Sequence, residues 1–205
     1  MSFQQLTDVQ LDAFREVSNI GMGHAATALS QMIGQRVELR VPRVMIVPLS
    51  EVPDCLGGPE KLMIGIFLQI LGEARGNIML LLPEASALHL RNGLLGRDQH
   101  ELLLDEDTVS TLQEVGNILA SAYLNALGSL MQRTLIPSVP SLAYDMAGSL
   151  VDAVLIDLGR SGDLALMVET EFGGELGRGR TVRGHIFMLP DPQTFDTFLT
   201  VAGMK

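Results

Sequence analysis

Apolar residues recur at helical spacing over two long stretches, with apolar runs between and after them. Leu11, Phe14, Ser18, Met22, Ala25, Leu29 and Met32 fall on one face at about 100° per residue and predict a helix stopped by Gly34. Thr7-Asp8-Val9-Gln10 fits a capping box at its start. Glu16 and Gly23 lie nearly opposite the apolar face, and Asn19 lies between them and its boundary. A second helix is predicted from a cap at Asp105 to about Arg133, with Val109, Leu112, Gly116, Ala120, Tyr123, Leu127 and Leu130 inward.

Arg36 to Leu49 reads as a strand, with Pro42 marking an edge or a bulge. Glu51 to Gly58 is a short helix or loop, and Lys61 to Leu71 and Ala74 to Leu82 pair as a hairpin. Pro83 opens a helix to about Leu94, and Gly96 to Leu104 is a linker. The second half repeats the order: a strand over Leu135 to Met146, a short helix or loop over Ala147 to Leu158, a hairpin of Gly162 to Phe172 and Arg180 to Leu189 with Gly-rich tip Gly173 to Gly179, and a helix over Pro190 to Ala202. The fold class expected is α/β (α+β): two long helices together on one face of a six-stranded antiparallel sheet.

The two halves are copies. Glu16-Val-Ser-Asn19-Ile20 returns as Glu114-Val-Gly-Asn117-Ile118, at an offset of 114 − 16 = 98. The same offset carries Ala28-Leu29 to Ala126-Leu127, Val41-Pro42 to Val139-Pro140 and Thr7 to Asp105. A gapless match of this length is an internal repeat. The expectation is one domain over 1–205, built from repeats of about 7–95 and 105–202 around a pseudo-two-fold axis, and a monomer, since each half can bury what a single-copy protein would bury against a second subunit.

Composition narrows the class. A net charge of −10 with no cluster of Lys and Arg argues against nucleic acid. The single Cys55 excludes an internal disulfide and fits a reducing compartment. The start, Met1-Ser2-Phe3-Gln4-Gln5, lacks the plan of a signal peptide, and apolar runs such as Ile78 to Leu82 are too short to span a bilayer. A soluble cytoplasmic protein is expected.

The repeated Glu-x-x-Asn is the best candidate for chemistry. Residues three apart are neighbours on a helix surface. Asn offers a donor and an acceptor without ionising, so it can orient a water, while Glu is a fixed anion that can hold a partner's cation. Ile20 and Ile118 flank the pairs, and Gly23 and Ser121 follow one turn beyond, where small side chains let another surface come close. Gly21-Met-Gly23 is not a phosphate loop, since no Gly-Lys-Ser/Thr follows; it reads as packing or close approach. His24, His89, His100 and His185 have no metal-ligand spacing, and Cys55 has no thiolate-stabilising neighbour.

The stretches Glu16-Val-Ser-Asn-Ile-Gly-Met-Gly-His-Ala-Ala-Thr-Ala-Leu-Ser30 and Glu114-Val-Gly-Asn-Ile-Leu-Ala-Ser-Ala-Tyr-Leu-Asn-Ala-Leu127 resemble the CheC family of chemotaxis phosphatases. The likeness covers nearly the whole chain, with both motifs in order. It implies dephosphorylation of the response regulator CheY: Glu16 and Glu114 would contact the regulator's active-site lysine, and Asn19 and Asn117 would orient the attacking water. The chain would need no cofactor of its own, the regulator supplying the metal, Mg. The resemblance also implies a partner, the receptor deamidase CheD, docking near Ala147 to Val154, and so an alternative reading as an adaptor with little turnover. A flagellar-switch phosphatase of the FliY type fits less well, because that type adds a C-terminal switch-complex domain. CheX, which carries one motif, also fits less well.

Overall fold

The structure is a computed structural model that describes residues 8–158, 164–174, 182–191, 193–194, 197 and 200. The long helix α1 (Asp8–Ile33) leads into strand β1 (Val37–Pro48), a 3-10 turn (Leu49–Glu51) and the short α2 (Val52–Cys55). The hairpin β2 (Leu62–Gly72) and β3 (Gly76–Pro83) and the helix α3 (Glu84–Leu95) complete the first half. The second half runs α4 (Glu106–Met131), β4 (Leu135–Pro137), β5 (Ser141–Met146), α5 (Ala147–Leu158), β6 (Leu164–Gly174) and β7 (Val182–Pro190). The predicted closing helix falls partly outside the described residues, as do the Thr7 cap and most of the Gly173 to Gly179 tip.

All pairings in the sheet are antiparallel, and its order is β1-β6-β7-β3-β2-β4, with β5 beside β4 on the same edge of β2. The strand after each long helix does not join its own hairpin. Instead β1 pairs with β6 of the second half, and β4 and β5 pair with β2 of the first. The two hairpins meet at β3 and β7. Read from either edge, the order is single strand, hairpin, hairpin, single strand.

Apolar residues fill both faces of this sheet, so its central strands look like continuous hydrophobic runs rather than alternating ones. On one face Ile64, Ile66, Leu68, Leu80, Val168 and Ile186 pack under α1, α3 and α4. On the other, Met63, Met79, Leu81, Met167 and Phe187 pack against Val52 of α2, Leu56 just after it, and Leu150 and Val151 of α5. The fold is thus three-layered. The two long helices pack together where expected: a Cβ on Gly21 would sit 3.1 Å from the Tyr123 Cα and 3.3 Å from the Ala122 carbonyl oxygen. The Ser18 hydroxyl donates to the Phe14 carbonyl at 2.7 Å and lies 3.4 Å from the buried Tyr123 hydroxyl.

Three details depart from the expected pattern. The inward arc of each long helix is wider than one stripe, adding Val17 on α1 and Val115, Leu119 and Leu124 on α4. The cause is that each helix packs on the sheet and on the other helix at once. Met32 and Leu130, at the ends of the predicted stripes, are exposed instead. The strand over 135–146 is broken by Ser138-Val139-Pro140 into β4 and β5, because proline cannot donate to the ladder. In the first copy, Pro42 is absorbed on the edge strand β1 by a register shift between Arg40 and Arg43.

The linker between the halves is laced down. The fully buried Arg91 donates to the Gln99 side chain and to the Glu101 carbonyl, and Asn92 donates to the Gln99 carbonyl. Asp105 caps α4, accepting from the Thr108 amide at 2.8 Å, and pairs with Arg97 at 2.7 Å. The cap hydrogen bonds and this guanidinium hold its carboxyl at about 2, below the ordinary 3.8.

Candidate functional site

Each long helix buries one side and leaves the other to solvent, and the Glu-x-x-Asn pairs lie on the open side. Glu16, Asn19 and Gly23 are exposed, and Ile20 is 49% exposed despite being apolar. Glu114 is exposed, while Asn117, Ile118 and Ser121 are half-buried. The structure therefore brings Glu16 with Asn19, and Glu114 with Asn117, into two solvent-facing pairs on different helices.

The surroundings of the pairs differ. Beside the first, Asp12, Arg15, Glu16, Asn19 and Ile20 line an open hollow of about 550 Å³. Arg15 there pairs with Asp12 across one helical turn at 2.9 Å, with both side chains more than half exposed. In the second copy the offset of 98 places Ser110 and Gln113 at these positions. The Gln113 side-chain amide donates to the Pro140 carbonyl at 3.0 Å. The break between β4 and β5 thus rests against α4 and partly covers its site. Asp12 and Arg15 were not singled out from the sequence, although Asp12 stands four residues before Glu16 and Arg15 four before Asn19, which was the signal that could have found them.

Gly23 differs from Gly21 in what surrounds it. Among the described residues nothing lies within 4 Å of where a Cβ on Gly23 would stand, whereas Gly21 is pressed against α4. Glycine costs about 1 kcal/mol in a helix interior relative to alanine, and no packing among the described residues requires it at position 23.

Among the described residues no group of three or more His, Cys, Asp and Glu side chains could hold a metal ion, and no helix is long and apolar enough to cross a membrane. Cys55 is exposed and free. His185 sits on β7 opposite Glu169 of β6, and burial lowers its pKa below the ordinary histidine value.

This geometry can be set beside known proteins. The CheC-like family model matches two segments, residues 9–46 and 109–144, each holding one motif and the backbone that follows. The chain is 33% identical over 204 residues to the CheY-P phosphatase CheC of Bacillus subtilis, covering 98% of this chain and 97% of that one. The chain belongs to the CheC-like family. A second relative, the flagellar motor switch phosphatase FliY of Bacillus subtilis, is 25% identical over 137 residues, covering 66% of this chain and 35% of that protein. The crystal structure of Thermotoga maritima FliY superposes with a TM-score of 0.76 at 19% identity, covering 98% of this chain and all of that one. At that identity the match is one of fold alone: the long helices and the antiparallel sheet are arranged as in that structure.

Proposed function

We propose that this protein is a phosphatase of the phospho-aspartate on the response regulator CheY. One observation carries the reading: in a member of the CheC-like family, both copies keep a Glu and an Asn one turn apart on the solvent side of a half-buried helix. An acyl phosphate is reactive, and phosphoryl transfer asks mainly for in-line placement and charge neutralisation. The regulator brings the phospho-aspartate, the lysine and Mg, so this chain supplies no cofactor. Asn19 or Asn117 accepts from and donates to the attacking water, and Glu16 or Glu114 pairs with the regulator's lysine. Ile20, Gly23, Ile118 and Ser121 meet the regulator's surface around each pair. The protein acts as a monomer in the cytoplasm, one regulator to a site.

The test is phosphate release from phosphorylated CheY by the Asn19→Ala/Asn117→Ala double variant. Since Asn19 is exposed and Asn117 half-buried, circular dichroism is expected to match wild type while release falls to the regulator's own rate. A folded double variant with wild-type activity would refute the catalytic assignment.

A second reading adds a docking role, on a surface away from the pairs. On the solvent side of α5, Ile156 is 80% exposed and Ala153 is exposed beside Ser149 and Asp152, and the helix borders a cleft of about 540 Å³ lined by Phe67, Val139, Ala153 and Val154. This includes the end of the Ala147 to Val154 stretch where the resemblance implies CheD. Titration with CheD, for wild type and Ile156→Glu, tests it: the variant is expected to lose binding while keeping phosphatase activity.

A further inference from the structure

We propose that Arg15 is a specificity-determining residue of the first site alone, releasing Asp12 to bind an oxyanion of the docked regulator. The proposal rests on the phosphatase reading above and adds to it that the two sites are chemically unequal. Arg15 shares one hollow with Glu16 and Asn19. Among the described residues its partner is Asp12, in an ion pair with the side chains 54% and 65% exposed. Such a pair holds weakly in water, so the guanidinium can leave it at little cost. A guanidinium presents a planar fork that meets phosphate or carboxylate oxygens in two parallel hydrogen bonds. A phosphoryl group reaching Asn19 enters the same hollow. At the second site the matching Gln113 is neutral and already tied to the Pro140 carbonyl. The duplicated Glu-x-x-Asn is thus common to both sites, and the cation belongs to one.

Single-site proteins separate the effects: Asn117→Ala leaves the first pair working, and Asn19→Ala leaves the second. Arg15→Gln, which installs the residue the second copy has, is made in both. In the first-site protein the variant is expected to raise KM for phosphorylated CheY roughly three- to tenfold and to flatten the dependence of kcat/KM on ionic strength, as loss of a rim charge does. Arg15→Lys recovers the ionic-strength dependence but only part of the KM, because charge returns without the fork. Titration calorimetry with CheY, with and without beryllofluoride and Mg, separates the oxyanion sources. Loss confined to the beryllofluoride-loaded form assigns the contact to the phosphoryl group, and loss in both forms assigns it to a carboxylate. An unchanged KM and affinity in the first-site protein overturns the proposal, as does an equal rise in both proteins. A first-site protein that neither binds nor turns over the regulator also overturns it, while the phosphatase reading then stands on the second site. Only full activity in the double Asn variant removes that reading itself.

Discussion

Gly21 and Gly23 stand two positions apart on α1 and answer to different surfaces. Gly21 faces α4, and a side chain there must push the two helices apart. Gly21→Leu is expected to destabilise by about 1–3 kcal/mol, the range for overpacking a core, read as a lower urea midpoint with unchanged slope. Gly23 faces open solvent, so Gly23→Ala is expected to raise stability by about 1 kcal/mol. If the regulator approaches there, the same change slows turnover by the Asn117→Ala protein. A Gly23→Ala protein that is more stable and equally active would remove Gly23 from the contact surface. The pattern of polar positions was enough to put Glu16, Asn19 and Gly23 on the outer side of α1. It could not show that Gly21 is pressed against α4 or single out Arg15, because those features depend on which atoms lie across the gap.

At the level of elements, the two motif helices are alike and what adjoins them is not. β1 runs unbroken along the sheet edge, while its counterpart is split at Ser138-Val139-Pro140 and touches α4 through Gln113. Both copies hold a Val-Pro at this point, so composition alone does not separate them. The start of α4 offers a pH-dependent prediction. The Asp105 carboxyl is held at about 2 by the Thr108 cap and Arg97. A depressed carboxyl contributes stability that is present above its ordinary value near 3.8 and is lost as pH falls through about 2. Asp105→Asn keeps an acceptor for the cap but removes the charge. The difference in thermal midpoint between wild type and this variant is expected to shrink as pH drops from about 4 to about 2; a difference constant across that window would contradict the assignment.

Across the whole molecule the two halves are interlocked, since each gives its single strand to the other's hairpin. Fragments 1–100 and 101–205 are each expected to lack a native spectrum alone and to regain one when mixed. A well-dispersed amide spectrum from a monomeric single fragment would contradict this. The helix interface holds the second test. Burial pushes the Tyr123 hydroxyl up to about 12, so its contribution is intact below about 10 and is lost as pH rises through 12. Tyr123→Phe is expected to reduce the steepness of alkaline unfolding in that range, followed by circular dichroism. Some steepness remains, because Tyr144 is also raised by desolvation and by Glu84.

Local periodicity alone determined the long helices, the hairpins and the outward placement of Glu16, Asn19, Glu114 and Asn117, because an amphipathic segment must turn its apolar side inward wherever it ends up. The offset of 98 between the Glu-x-x-Asn pairs made the repeat legible as well. What only the tertiary structure decided is how the copies are joined and how they differ. Strand pairing is a long-range choice: β1 and β5 carry no local mark of which hairpin they meet, and hydrogen bonds to either would satisfy the same backbone groups. The difference between the two sites has the same origin. Arg15 is held only by an exposed pair with Asp12 beside an open hollow among the described residues, and Gln113 is held by Pro140, because of what the rest of the chain lays against each helix.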